Sequence, residues 1–302
     1  EDEDAMATPC CLCRPTSAVM GSDGSVYISC IGDNNGHGHT IRMLSPKMRR
    51  LRTLAGRSGV PGYVDGPATE ALFRDPHGLA FLEGHDGKSA TLFVADSGNH
   101  VVRRLLLRTR GPNAPGGARR ATAHTTLVDT VLISAAPHKG ILPPKPPVDL
   151  DELERKGGPQ PKKEKTANDR LWFVRPTQVS VSQDDGTIYV GDSGGHGKRA
   201  AAAGAGQARL QRLARRGTLY YNPITREYAE TPNDYVISVI HTPPHLQHVS
   251  GLAFRHGKSL RSDDALENYG HTKHPGDKGS AWFVADGETH TVHTGSCSRQ
   301  KD

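Results

Sequence analysis

Two short apolar motifs alternate along the chain, and their recurrence is the feature that most constrains its fold. The first motif is typified by DPHGLAF at residues 75–81 and the second by LFVAD at residues 92–96. Weaker copies of the pair are RPTSAVM with SVYISCIGD, RPTQVSV with TIYVGD, and HVSGLAF with AWFVAD. Short runs separated by Gly, Asn and Asp turns are typical of antiparallel strands. The sequence therefore predicts a repeat protein built from β-meanders.

Further strands follow each pair of motifs. The predicted third strands are HTIRML, HVVRRL, GTLYYNPIT and THTVHT, and the predicted fourth strands are RRLRTLAG, TTLVDTVLIS and YVISVIHT. This pattern predicts an all-β domain over residues 14–302, with four repeats at about 14–56, 75–134, 175–242 and 248–295. The last repeat lacks a fourth strand, and the N-terminal segment 1–13 is the candidate for a strand that closes it.

Long irregular insertions separate the repeats. Asp96 and Asp192 end equivalent strands but lie 96 residues apart, whereas a four-stranded propeller blade needs roughly 40–45 residues. We place the insertions at 108–124, 136–170, 194–216 and 255–279, where the sequence is rich in Pro, Lys, Ala or polar residues. The basic stretch from Gln207 and the segment VDLDELERK at 148–156 are predicted as short helices.

Composition excludes several classes of protein. At 302 residues and 35% hydrophobic residues, the chain is long enough for one large all-β domain with a substantial part outside its core. No run approaches the about 18 apolar residues of a membrane helix, and the start EDEDAMATP has no features of a signal peptide. Five cysteines without regular spacing argue against a disulfide framework. We therefore predict an intracellular protein, in the cytosol, the nucleus or an organelle matrix.

The segment 51–105 resembles an NHL repeat. It contains LRTLAG, GYVDG and DGPATEALFRDPHGLAF, followed by LFVADSGNHVVRRL, and the other three copies match at the Pro-x-x-hydrophobic and aromatic-Val-x-Asp positions. NHL repeats build β-propellers that are commonly six-bladed. The resemblance therefore implies a propeller with four recognisable blades, which is either complete or part of a larger one. Because one blade cannot bury both of its faces, the blades are expected to stack.

The Asp residues that end the second strands are interpreted as structural. Each precedes a tight turn, and its carboxylate can accept hydrogen bonds from the backbone N–H groups of that turn. The alternative is a ring of carboxylates that binds a cation. The residues concerned are Asp33, Asp96, Asp192 and Asp286.

Histidine is frequent, with 16 residues, and imidazole is a common zinc ligand. His77 lies just before an inner strand and His248 lies two positions earlier in its own repeat, so both are predicted at the mouth of a central channel. Peptidyl-hydroxyglycine amidating lyases, which are similar propellers, carry zinc on a P-H-x-L motif. The positions that match His77 are Thr16, Thr177 and Ser250. We therefore predict neither a catalytic metal nor a cofactor.

The remaining ligand-type residues lie in turns or near the N-terminus. His100, in the turn DSGNH, is interpreted as a residue that seats the next strand, and HGH at 37–39 as at most an adventitious metal site. The cluster Cys10, Cys11 and Cys13 lacks a second ligand pair at zinc-finger spacing, so a metal there would need ligands from elsewhere in the fold.

Basic residues are the candidates for contact with a partner. The net charge is +6, and basic groups could bind either an acidic protein or RNA phosphates, although the basic segments contain almost no aromatic residues for base stacking. NHL propellers most often serve as interaction platforms. We predict a non-catalytic scaffold for protein–protein interaction, as a subunit of a larger assembly; the alternatives are an RNA-binding propeller and a metal-dependent lyase or hydrolase that uses His77. The predicted contact residues are Arg103, Arg104, Arg108, Arg199, Arg209, Arg212, Arg215 and Arg216.

Overall fold

The chain is built from β-strands. The computed structural model describes residues 12–45, 50–84, 89–108, 126–134, 173–183, 186–194, 208–215, 219–222, 227–230, 234–240, 245–255 and 280–297. These residues form 19 strands and no α-helix, so the prediction of an all-β fold is confirmed. No helix in this part of the chain is long and apolar enough to cross a membrane.

The first sheet has four antiparallel strands in chain order. They are β1 (Pro15–Met20), β2 (Val26–Cys30), β3 (Thr40–Ser45) and β4 (Arg50–Ala55). The turn between β1 and β2 places Gly24 at a φ of 76°, a left-handed conformation that glycine adopts without a steric cost. Asp23 stabilises this turn by accepting the backbone N–H of Ser25 at 2.9 Å.

The second sheet has the strand order β5-β9-β8-β7-β6. A 3₁₀ turn at Ser97–Asn99 joins β7 to β8. Val94 in β7 packs towards the first sheet and its neighbour Phe93 packs towards the third, because successive side chains of a strand point to opposite faces. The strands are β5 (Gly66–Pro67), β6 (Pro76–Glu83), β7 (Ser89–Asp96), β8 (Val101–Arg108) and β9 (Thr126–Thr130).

The third sheet has the order β10-β16-β13-β12-β11, and β10 runs parallel to β16. The predicted single strand TTLVDTVLIS is therefore wrong, since its first half is β9 of the second sheet and its second half is β10 of the third. The strands are β10 (Leu132–Ser134), β11 (Pro176–Val181), β12 (Ile188–Asp192), β13 (Arg209–Arg215) and β16 (Asp234–Val239).

The predicted helix from Gln207 is also wrong, because β13 lies there as the third strand of this sheet. Leu210 and Leu213 have the spacing of one helix face, but in a strand they point to opposite sides. Leu213 enters the core shared with the second sheet and Leu210 enters the core shared with the fourth. The segment GTLYYNPIT, predicted as the third strand, instead contributes to a separate hairpin of β14 (Leu219–Asn222) and β15 (Glu227–Glu230).

The fourth sheet has three antiparallel strands among the described residues. They are β17 (Val249–Arg255), β18 (Ser280–Asp286) and β19 (Thr291–Cys297), in that order. Three predictions lie outside the described residues: most of the closing strand at 1–13, the helix at 148–156, and most of the insertions at 108–124, 136–170 and 255–279.

The four sheets stack as the blades of a propeller, with their first strands β1, β6, β11 and β17 side by side. Three hydrophobic cores lie between successive blades. The inner strands approach closely: a Cβ on Gly78 in β6 would lie 2.7 Å from the Cα of Gln178 in β11. The fold therefore depends on packing between blades rather than on a core within each blade.

Candidate functional site

Hydroxyl side chains at one end of the inner strands connect neighbouring blades. Thr16 donates to the carbonyl of Pro76 at 3.2 Å, and Thr177 donates to the carbonyl of Val249 at 2.7 Å. Ser97 donates to the carbonyl at the start of β11. Thr16 and Thr177 stand at two of the positions where the resembling lyases carry zinc-binding histidine. In this chain those positions hold blades together, and they supply no metal-binding imidazole.

The Asp residues that end the second strands accept backbone N–H groups. Asp286 accepts from Gln247 at 2.8 Å and from Glu288 at 3.0 Å, and Asp192 accepts from Val174 at 2.9 Å. These two carboxylates therefore hold the segment before the inner strand as well as the turn after their own strand. Burial raises the pKa of Asp286, but the donated N–H groups outweigh it and bring the pKa to about 2.

The prediction that Asp33 also ends a second strand is wrong, because β2 ends at Cys30, which pairs with Pro15 as Asp96 pairs with Pro76. Asp33 lies in the turn after β2 and accepts the backbone N–H of His37 at 2.8 Å.

Three histidines that precede the third strands share one backbone conformation. His39, His100 and His290 have φ values of 57°, 60° and 56°, in the left-handed region that few non-glycine residues adopt. Two of them reach the next blade: His39 Nδ1 accepts the backbone N–H of Asp75 at 3.1 Å, and His100 Nδ1 forms a hydrogen bond with the carbonyl of Val174. These imidazoles therefore link successive blades.

The predicted channel-mouth histidines lie in one positively charged region. Burial lowers the pKa of His77 to about 4, and the nearby charges of Arg175, His248 and Arg14 act in the same direction, against Asp75. His77 is therefore neutral at pH 7. The cations Arg175 and Arg14 near the ring disfavour a divalent metal on His77.

Arg103 is a structural residue, and its prediction as a partner contact is wrong. Its guanidinium is fully buried and donates to Asp96 at 3.1 Å and to Asp65 at 2.6 Å. The same group lies 5.0 Å from the ring centres of Tyr63 and Phe73. Arg103 thus attaches the loop before β6 to the second blade. Burial raises the pKa of Asp96 to about 6 in spite of this ion pair, so the carboxylate is ionised at neutral pH.

The other predicted basic contacts have different outcomes. Arg104 is also buried and donates two hydrogen bonds to Asp129, so its prediction is wrong too. Arg209 lies on β13 and donates to Asp192 at 3.3 Å, whereas Arg212 on the same strand is exposed. The side chains of Arg108, Arg199, Arg215 and Arg216 lie outside the described residues.

An apolar surface is exposed on the side of the fourth blade that faces away from the third. It consists of Ala253, Phe283 and Val292, which share one sheet face because Ala253 pairs with Phe283 and Val292 pairs with the residue two positions after Phe283. We call these three residues the open face. Phe283 is 40% exposed and Val292 is 69% exposed.

The second blade carries the same three residue types in the same register. Ala80 pairs with Phe93, and Val102 pairs with the residue two positions after Phe93. Phe93 and Val102 are each 1% exposed, because the third blade packs on them. The open face is therefore a blade-packing surface with no blade on it in the described part of the chain.

The opposite end of the stack also carries apolar residues. Met20 and Leu44, on the side of the first blade that faces away from the second, are 68% and 37% exposed. The equivalent Leu105 of the second blade is fully buried against the first. Arg42 lies on the same side as Leu44, and its guanidinium donates to Thr53 at 2.8 Å.

One group of side chains has the chemistry of a metal site. Cys13, Asp33 and His37 each place a ligand atom within 4.8 Å of the other two. Cys13 precedes β1, Asp33 follows β2, and His37 lies in the turn before β3. The sequence could not bring them together, because the contact depends on the pairing of β1 with β2. The available signal is the turn between the second and third strands, which is longer in the first blade than in the second.

Similarity to known proteins is confined to part of the chain. Over 106 residues it is 32% identical to the Arabidopsis thaliana protein SUPPRESSOR OF QUENCHING 1, chloroplastic, covering 35% of this chain and 9% of that protein. Over 74 residues it is 32% identical to NHL repeat-containing protein 2 of Homo sapiens and of Gallus gallus, covering 24% of this chain and 10% of theirs. The chain thus matches about a tenth of the length of these relatives. The resemblance to NHL repeats is confirmed.

Solved structures give more distant similarities. Auxiliary nutrient binding proteins from Bacteroides thetaiotaomicron and Bacteroides ovatus align with TM-scores of 0.34 at 17% and 19% identity, over 58% of this chain and 34% of theirs. No family model matches the chain.

Proposed function

This chain carries NHL-type repeats, and we propose that it is a non-catalytic scaffold that binds another protein through the open face of its fourth blade. The observation that supports the proposal is the contrast between Val292, which is 69% exposed, and the equivalent Val102, which is 1% exposed. A contiguous apolar surface of this kind is typical of an interaction site. A propeller fold in general serves as a binding or scaffolding fold. In this chain we propose the open face as the surface that binds the partner.

The chemistry of the open face indicates what binds it. On the second blade, the equivalent residues are covered by Val179, Ile188 and Val190 of the third blade, which form an apolar sheet surface. The partner is therefore expected to present an apolar sheet face. Phe283, a large aromatic residue at the centre of the face, is suited to act as an anchor in such an interface.

The far side of the first blade of a second copy fits the open face less well than a different protein does. Apart from the open face itself, this far side, with Met20 and Leu44, is the comparable apolar surface among the described residues. That side also carries Arg42, whose described hydrogen bond goes to the hydroxyl of Thr53 and not to a carboxylate. Burying this charge without an acidic partner would cost several kcal/mol, on the order of the penalty for other unpaired buried ions.

The alternatives have less support. The RNA hypothesis loses Arg103 and Arg104, whose guanidinium groups are buried in ion pairs. The lyase hypothesis places a metal on His77, where neighbouring Arg side chains repel it. An intracellular location is part of the proposal, and the buried free thiol of Cys30 is consistent with a reducing compartment.

The double substitution Phe283→Glu and Val292→Glu is expected to release the partner. Two carboxylates on an apolar interface would be desolvated without counter-charges, which weakens binding strongly, by at least about 100-fold. The tagged chain is purified from its native cells together with whatever it binds. Light scattering after chromatography then measures the mass of the complex. Leu127→Glu is the matched control, since Leu127 is 49% exposed but lies on β9, away from the open face.

The expected result is a complex with a second, different polypeptide that persists in the control and is absent in the double variant. A complex that survives the double substitution contradicts the proposal. A lone chain, or a homodimer of the unsubstituted protein, contradicts it as well.

A further inference from the structure

We propose that Cys13, Asp33 and His37 bind a divalent transition metal, with zinc as the preferred ion, at the N-terminal end of the first blade. Thiolate, carboxylate and imidazole are the three side-chain ligand types that zinc takes in proteins. Ligand atoms of the three residues lie within 4.8 Å of one another, so small side-chain rotations bring them to a common ion. This inference is independent of the proposed protein-binding surface.

The backbone holds two of the three ligands in place. Asp33 Oδ1 accepts the N–H of Asn35 at 3.0 Å and that of His37 at 2.8 Å. Its other oxygen, Oδ2, lies 3.5 Å from His37 Nδ1. The turn thus fixes one carboxylate oxygen by hydrogen bonds and directs the other one, together with the imidazole, to the same side.

The third ligand is positioned by the pairing of β1 with β2. Arg14, the residue after Cys13, has its carbonyl bonded to the N–H of Ile31, and its guanidinium donates to the carbonyl of Gly32 at 2.8 Å. These bonds fix the chain beside the end of β2, directly before Asp33. Cys13 is partly buried there, so its thiol is sheltered without being inaccessible.

Comparison among the blades supports a role beyond that of a turn. Residues at the position of Cys13 are Arg74, Val174 and Gln247 in the other blades, none of which is a good zinc ligand. The strand pairing makes Cys30, not Asp33, the equivalent of Asp96, because each pairs with the proline that begins the inner strand of its blade. Eight residues separate Cys30 from His39, whereas three separate Asp96 from His100. His37 lies in this longer turn.

The carboxylate of Asp33 is more accessible than the carboxylates that end the second strands of other blades. The side chain of Asp33 is 16% exposed, whereas those of Asp96 and Asp192 are fully buried. Asp96 and Asp192 each accept hydrogen bonds from a backbone N–H and from an Arg side chain. In Asp33, by contrast, one oxygen faces the imidazole of His37, and a carboxylate oxygen lies within 4.8 Å of the Cys13 sulfur. Three protein ligands leave a fourth position of a tetrahedral ion for water or a further ligand.

The test is cobalt and zinc binding by the purified full chain after removal of metal with a chelator. Cobalt is expected to bind one-to-one and to give a thiolate-to-cobalt charge-transfer band, which zinc then removes. Cys13→Ser is expected to abolish the band, and His37→Gln to weaken zinc binding by at least about 10-fold, since even indirect partners of zinc ligands contribute about 10- to 100-fold. Circular dichroism checks that each variant is folded.

The matched control is the double variant Cys10→Ser and Cys11→Ser, which removes the neighbouring thiols and leaves Cys13. The proposal predicts that this variant retains the band with one equivalent of cobalt. An unchanged band in Cys13→Ser would overturn it, as would loss of the band in the double control. Equal zinc affinity in His37→Gln and the unsubstituted chain would overturn it too.

Discussion

Phe93→Ala is expected to lower the free energy of unfolding by about 3–5 kcal/mol, the usual cost of emptying a large buried aromatic site. Phe283→Ala, the same substitution at the equivalent position of the fourth blade, is expected to lower it by only about 1–2 kcal/mol, in proportion to the part of the ring that its own blade covers. Phe93 is 1% exposed and Phe283 is 40% exposed, so the first substitution opens a cavity between two blades and the second does not. Urea denaturation of the purified chain measures both values.

The pair of variants tests whether the open face of the isolated chain is exposed to solvent or is covered by another part of the same chain. Both residues lie in an FVAD motif, so differences of local strand propensity cancel in the comparison. Equal destabilisation of the two variants would show that another part of the chain covers Phe283. That result would remove the surface on which the proposed function rests.

Arg103→Met is expected to destabilise the protein by about 3–5 kcal/mol, because it leaves Asp96 buried beside a side chain that carries no charge. It also removes the hydrogen bond to Asp65 and the stacking between Tyr63 and Phe73. The loop that these residues belong to should then detach from the second blade. Hydrogen exchange of residues 62–75 is expected to become faster in this variant.

Arg212→Met is the matched control, since Arg212 is exposed on β13 and a substitution there is expected to change stability by no more than about 0.5 kcal/mol. If Arg103→Met were as stable as the control, the ion pair with Asp96 would have no structural role. Arg103 would then return as a candidate for contact with a partner.

The apolar repeat pattern was sufficient to predict the sheets but not the role of charged residues within them. Arg103 and Arg104 follow two valines in β8, and neighbouring residues of a strand point to opposite faces. Each is buried because a distant acidic residue meets it: Asp65 from the loop before β6, and Asp129 from β9. Sequence spacing gives no sign of such a pairing, so the sequence alone predicts both residues as surface cations.

Equivalent residues in different blades also differ in burial, for reasons that lie outside their own sequence. LFVAD and WFVAD predict the same strand, and both form it. Phe93 is enclosed because the third blade follows the second, whereas nothing described follows the fourth. Likewise, the segment LQRL has leucines at helical spacing, but cores on both sides of the third sheet select the strand. Neighbouring blades, more than local propensity, decide these outcomes.

Hydroxyl-radical footprinting of Phe283 tests the central claim most directly, that another protein covers the open face. The rate of side-chain oxidation is compared between the native assembly and the isolated chain, with Leu127, which is 49% exposed on β9, as the internal reference. The proposed function predicts that oxidation of Phe283 is several-fold slower in the assembly while that of Leu127 is unchanged. Equal oxidation of Phe283 in both samples would contradict it.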